Sequence, residues 1–179
     1  MKTKLLFLTM LLVVGCNGLV SPAGISTSAI SPPAGQGTPN WGVQTKTSNC
    51  QATGAIEDKG CSPGDILPDA TKDKICVPGY SSSVRNVPES EKNQVYAEYG
   101  ITSRTAGQYE VDHLVSLELG GSNAISNLWP EAAAPQPGFH EKDKVENYLH
   151  DQVCSGAISL VDAQREIASD WLSVYNSMK

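Results

Sequence analysis

Asp112 and His113 stand side by side in "VDHLVSLELGGSNAISNLW", Asn127 comes near the end of that stretch, and His140 opens "HEKDKVENYLH". The chain has three histidines, so two of them fall within or just beyond one short segment. A carboxylate and an imidazole, as on Asp112 and His140, suit a divalent cation. The imidazole of His113 titrates close to neutral pH and is fit to take a proton from water. Neighbours on a regular strand point to opposite faces, so Asp112 and His113 can serve a metal and a water respectively if the strand ends or bends there.

These side chains need a scaffold. "QYEVDHLVSLEL" alternates and is rich in β-formers, which predicts strand, and "GGSN" supplies turn residues after it. From Phe139, the residues Val145, Tyr148, Leu149 and Val153 recur at helical spacing, and Gly156 is a stop. A second helix begins at "SLVD", where Ser159 can cap the amides near Asp162, and its apolar stripe is Leu160, Ala163, Ile167, Trp171 and Val174. Upstream, "PESEKNQVYAEYG" reads as a short helix stopped by Gly100. "CSPGDILPDA" and "CVPGYSSSVRNVPES" carry the Pro and Gly punctuation of loops. The local order is strand, Asp-His, turn, Asn, loop, His, helix.

That order, with its Gly-Gly turn, Asn-Leu and final His, resembles the HNH nuclease motif and its ββα-metal (His-Me finger) fold. The motif covers about 30 residues, and a broader similarity to exported bacterial HNH-type proteins runs from roughly Cys76 to Trp171. The resemblance implies an α+β fold: a ββα-metal core with added helices and a loop-rich, disulfide-braced N-terminal half. It makes His113 the general base, Asp112 and His140 the metal ligands, and Asn127 the residue that holds the loop and orients His113. The expected cofactor is a divalent cation, Mg²⁺ first, with Mn²⁺, Zn²⁺ or Ni²⁺ as alternatives. The interval from Asn127 to His140 is longer than in compact HNH motifs, and the CxxC pairs that brace some members are absent. Glu131 and Glu141 are therefore candidate substitute ligands, while His150 reads as a surface or structural residue.

The chain opens "MKTKLLFLTMLLVVGC", a charged start and an apolar run shorter than the ~20 residues of a spanning helix. Residues 1–15 read as an export signal. "VVGC" resembles the lipobox of bacterial lipoproteins, which implies acylation of Cys16 and a membrane anchor through lipid; ordinary signal cleavage is the alternative. Residues 16–48, rich in Ser, Pro and Gly, read as a flexible tether, and 49–179 as one folded domain. With Cys16 set aside, four cysteines remain and allow three pairings. The short Gly-containing loop between Cys50 and Cys61 favours that pair. Cys76–Cys154 would then staple the loop-rich half to the His140 helix, as suits a small exported domain.

The formal net charge is −6, and loss of residues 1–15 removes Lys2 and Lys4 but no acid. An acidic protein lacks long-range attraction for phosphates. Nucleic-acid work therefore requires a local basic rim, for which Arg85, Arg104, Lys142 and Lys144 are the candidates. The resulting expectation is a metal-dependent endonuclease of low sequence specificity acting on DNA, with RNA as a second substrate class. A non-catalytic exported lipoprotein that uses the same scaffold to bind an envelope component is the alternative. The identity of any protein partner is open.

Overall fold

The structure, a computed structural model, describes residues 39–178. The signal segment, Cys16 and the tether up to residue 38 lie outside the described residues. Five helices and two strands follow one another: α1 (Lys72–Ile75), α2 (Tyr80–Val84), α3 (Glu89–Glu98), β1 (Tyr109–His113), β2 (Leu128–Ala132), α4 (Phe139–Ser155) and α5 (Leu160–Ser177). The molecule is α+β, with a small antiparallel sheet among helices. Among the described residues, no helix is long and apolar enough to cross a membrane.

The two long helices form where the apolar spacing places them. Gly156 ends α4 with φ +85°, and the Ser159 hydroxyl accepts the Asp162 amide at 3.1 Å to start α5. Val145, Leu149 and Val153 of α4 pack with Ala163, Ile167 and Trp171 of α5 in the main core, which also takes in Trp129 of β2. α5 is not continuous. Asp170 leaves helical geometry, and its carboxylate accepts the Ser173 amide at 3.1 Å, capping the segment beyond the break.

β1 and β2 pair with Asp112 opposite Trp129 and Glu110 opposite Glu131. Cross-strand partners share a face, so Asp112, Trp129 and Glu131 lie on the side of the main core, with Glu110 exposed at its edge. Val111, His113 and Leu128 lie on the other, where Val111 and Leu128 cluster with Val95 and Tyr96 of α3.

The alternating pattern predicts strand well past His113, but the strand stops there. Leu114 to Leu117 are all buried, so no solvent face remains for a ladder to present. The side-chain amide of Asn127 takes the place of a strand partner for Val115, accepting from its N–H and donating to its C=O, each at 2.9 Å. The chain then turns through Gly120 and Gly121. Gly120 has φ +75°, and a Cβ on Gly121 would sit 1.8 Å from the Val115 carbonyl oxygen. Both positions need glycine.

Residues 41–48, read as tether, are part of the folded unit. Trp41 packs against the main core, the Gly42 amide donates to the Gly64 carbonyl at 2.8 Å, and Gln44 Nε2 donates to the Cys61 carbonyl at 2.7 Å. Low-complexity composition hides a single anchoring aromatic. The domain therefore begins before residue 49.

Both disulfides have the expected pairing: Cys50–Cys61 closes 11 residues and Cys76–Cys154 closes 78. The second bridge joins the end of α1 to the last turn of α4. Closing a loop of that length constrains the unfolded chain by ~4–5 kcal/mol. The Cys76→Ser/Cys154→Ser variant is accordingly expected to lose about 4 kcal/mol in chemical denaturation. A loss below about 1 kcal/mol would show that the bridge does not hold the two halves in register.

Near Cys61, Glu57 is 6 % exposed, and its Oε1 has no hydrogen-bond partner. Burial pushes its carboxyl up to about 7, against the pull of Lys59 and Lys142. In the unfolded chain the group titrates near 4.5. As pH rises from there to about 7, the unfolded state ionises while the folded state keeps its proton, so stability falls across that window. Above it the loss is constant, on the order of 3 kcal/mol. Glu57→Gln is expected to raise the urea midpoint at about pH 8 and to change it little at about pH 4. Equal shifts at the two pH values would contradict this assignment.

Candidate active site

His113 ends β1 and is 2 % exposed. Its Nε2 lies 3.2 Å from Asn123 Oδ1. The Asn123 amide is oriented by two other bonds: Nδ2 donates to the Val84 carbonyl at 2.8 Å, and Oδ1 accepts the Asn86 amide at 3.1 Å. Since Oδ1 only accepts, His113 Nε2 carries the proton and Nδ1 is the basic atom of the neutral ring. Burial pushes the imidazole down to about 4, outweighing the nearby Asp112 carboxylate, so the ring is neutral at pH 7. His113 borders an open cleft of about 390 Å³, whose walls include Arg85, Lys92, Tyr109 and Phe139.

The hydrogen bond of the His113 ring goes to Asn123 and not to Asn127. Asn127 is fully buried, and all its hydrogen bonds go to backbone: Oδ1 accepts from Val115 and Asp65, and Nδ2 donates to Val115 and Ser122. It holds the loop, while ring orientation falls to Asn123. The sequence reading missed Asn123, although it lies in the "GGSN" turn that was singled out.

On the opposite face, Asp112 meets a cation from within the protein. Lys142 is fully buried, and its ammonium donates to Asp112 Oδ2 at 2.6 Å, to the His113 carbonyl at 2.7 Å and to Glu146 Oε1 at 2.5 Å. Lys142 therefore cannot serve on a solvent-facing basic rim. Burial disfavours its charge, but Asp112, Glu146 and Glu131 outweigh that and hold its pKa above the usual lysine value. Burial likewise opposes ionisation of Asp112, and Lys142 overcomes it, leaving the carboxyl below its ordinary range.

Glu131 is fully buried beside this pair, close enough to Asp112 for its protonated carboxyl to donate to that carboxylate. Burial pushes its carboxyl up to about 10, and that of Glu146 to about 8. Burial thus favours the protonated form of Glu131 and raises Glu146, while Asp112 stays ionised against Lys142. Glu146 was not foreseen, although it sits one turn after Lys142 on α4.

His140 is exposed in the first turn of α4, its ring 4.2 Å from that of Phe139. Glu141 accepts the Gly138 amide at 3.0 Å and so caps α4, which commits its carboxylate to the helix terminus. Lys144 pairs with Glu141 at 3.3 Å. Arg85 and Arg104 are both exposed, and the Arg104 guanidinium lies 3.6 Å from the centre of the Tyr96 ring.

The donor types of Asp112 and His140 suit a hard divalent cation, and the Asp112 side chain keeps 15 % exposure. The two Glu candidates fit less well, one protonated in the interior and one engaged in capping. Among the described residues, a cluster of three ligand side chains with atoms within 4.8 Å of one another occurs at Cys76, His150 and Cys154, not around Asp112. That cluster could hold a metal ion, but both of its sulfurs are used in the disulfide. The two disulfides themselves point to an oxidising compartment. No family model, curated protein or solved structure matches the chain.

Lys142→Met removes the internal counter-ion and leaves Asp112 buried and charged. A loss of about 3–5 kcal/mol is expected in urea denaturation. Adding Asp112→Asn is expected to restore part of it. If the single substitution costs under about 1 kcal/mol, Lys142 is not the partner that makes the Asp112 charge tolerable.

Proposed function

We propose that the chain is an exported, metal-dependent endonuclease of HNH type that hydrolyses phosphodiester bonds of DNA. The observation that carries this reading is His113: a neutral imidazole at the end of β1, its Nε2–H fixed by Asn123, bordering a cleft with Arg85 and Lys92. Nδ1 takes a proton from the attacking water, and Arg85 and Lys92 draw the phosphate toward it. Lys142 holds Asp112 and the His113 carbonyl together, so the base and the carboxylate behind it keep one geometry. Asp112 and His140 carry the donor types for a divalent cation, whose chemistry would be to neutralise phosphate charge and stabilise the leaving oxygen, and an ion there has to share the Asp112 carboxylate with Lys142 or displace it. The antiparallel β1–β2 pair followed by α4 fits the ββα order of such enzymes. Anchoring through an acylated Cys16 belongs to the same proposal.

One observation favours a second reading, a non-catalytic envelope lipoprotein on the same scaffold. Asp112 is already neutralised by Lys142, so the protein does not depend on an ion at that place. Plasmid hydrolysis by the purified protein, with Mg²⁺ and with EDTA, separates the two. Cleavage that EDTA abolishes is expected, together with a loss of at least about a hundredfold in His113→Ala. Parental cleavage by His113→Ala would remove the mechanism, and absence of any metal-dependent cleavage by the unaltered protein would leave the second reading.

A further inference from the structure

Beside the His113 cleft lies a second depression of about 460 Å³, formed by the segment from Thr102 to Gly107 with Tyr109. The two hollows share Gly107 and Tyr109, so they adjoin along one surface. Each carries its own cations: Arg85 and Lys92 against the single acid Glu110 in the first, and Arg104 in the second. Their lining differs in kind. The first is part of the folded core margin and contains His113. The second is a run of hydroxyl-bearing residues, Thr102, Ser103 and Thr105, around an arginine.

Arg104 is not a loose surface charge. Its guanidinium lies over the Tyr96 ring, and Tyr96 itself borders the first hollow. Tyr96 restrains the guanidinium, whose five N–H donors are more than one aromatic partner can use, so donors remain for an anion. Tyr109 sits at the junction of the hollows and is partly exposed. An aromatic ring between two cationic hollows matches what an unpaired strand offers, in which a base lies between successive phosphates. A duplex keeps its bases paired inside and has none to give to Tyr109. The net charge of −6 means that any attraction for a polyanion must come from such a local concentration of cations.

We propose that the two hollows form one track for an unpaired nucleic-acid strand. Arg85 and Lys92 hold a phosphate beside His113, Tyr109 stacks a base, and Arg104 with its neighbouring hydroxyls holds a phosphate further along. The proposal rests on the nuclease reading for the role of His113, but the track is a binding surface and does not need cleavage to be seen.

Fluorescence anisotropy of a labelled single-stranded DNA of about 12 nucleotides, in EDTA and low salt, tests it on the purified protein. The single strand is expected to bind at least about tenfold more tightly than the duplex of the same sequence. Arg104→Gln, in an exposed loop, is expected to weaken single-strand binding about fivefold or more and to flatten its salt dependence. Tyr109→Leu leaves net charge unchanged and is expected to weaken it about tenfold, with a thermal melt confirming that β1 is intact. Equal or tighter binding of duplex would overturn the track, as would affinities within about twofold of the parent in both variants. If the strand binds as stated but no cleavage follows when Mg²⁺ is added, the nuclease reading falls and the track stands. Cleavage without the single-strand preference sinks the track alone.

Discussion

The side-chain amide of Asn127 is the constraint on which the rest of the molecule depends. A strand that leaves its sheet partner while still buried exposes N–H and C=O groups to an apolar interior, where an unpaired group costs about 1–3 kcal/mol. Asn127 meets both groups of Val115 and also reaches Asp65 and Ser122, so one side chain closes the β1–β2 connection onto the loop-rich first half. The Gly121 requirement follows from the same contact, because a Cβ there would collide with the Val115 carbonyl and come within 2.9 Å of the Asn127 amide. Strand end, glycine pair and loop anchor are one device. It fixes the direction in which His113 leaves the sheet and brings Asn123 to its ring.

Lys142 does for charge what Asn127 does for the backbone. Burying a lone carboxylate on the core side of a two-stranded sheet is costly, and a fully buried ammonium is no cheaper, yet together they are tolerable if every donor is used. All three protons of the ammonium find acceptors: Asp112, the His113 carbonyl and Glu146. The bond to the His113 carbonyl couples the two faces of the sheet. The charged interior on the α4 side and the open cleft on the α3 side are joined through the His113 carbonyl, in the peptide bond to Leu114.

How much of this could be read from residues alone depends on the range of the interaction involved. α4 and α5 were legible because their apolar spacing, Gly156 and the Ser159 cap are all local signals. The disulfide pairing was legible because few pairings exist and loop length separates them. The end of β1 was not, since "HLVSLEL" alternates well and only the burial of both faces, a tertiary fact, stops the strand. The same holds for Trp41, a lone aromatic in a Pro- and Gly-rich stretch that anchors residues 41–48. Lys142 shows the limit most clearly. Its composition-level reading is a solvated cation next to other charges, and nothing local says that Asp112, thirty residues earlier, is waiting for it in the interior.

The distribution of charge bears on how an acidic chain could meet the polyanionic ligand proposed for it. Screening limits surface charges to roughly 10 Å at ordinary ionic strength, so the total charge governs approach while the local arrangement governs contact. On the core side, burial favours the protonated forms of Glu131 and Glu146 and Asp112 is matched by Lys142, so the net charge of the four is smaller than three acids and one base would suggest. What remains near His113 is Arg85 and Lys92 against Glu110. The buried cluster thus has an electrostatic consequence at a distance. Among the charged groups acting on the His113 ring the Asp112 carboxylate weighs most, with Arg85 and Lys142 opposing it, so the pairing of Asp112 with Lys142 weakens the negative field at the imidazole.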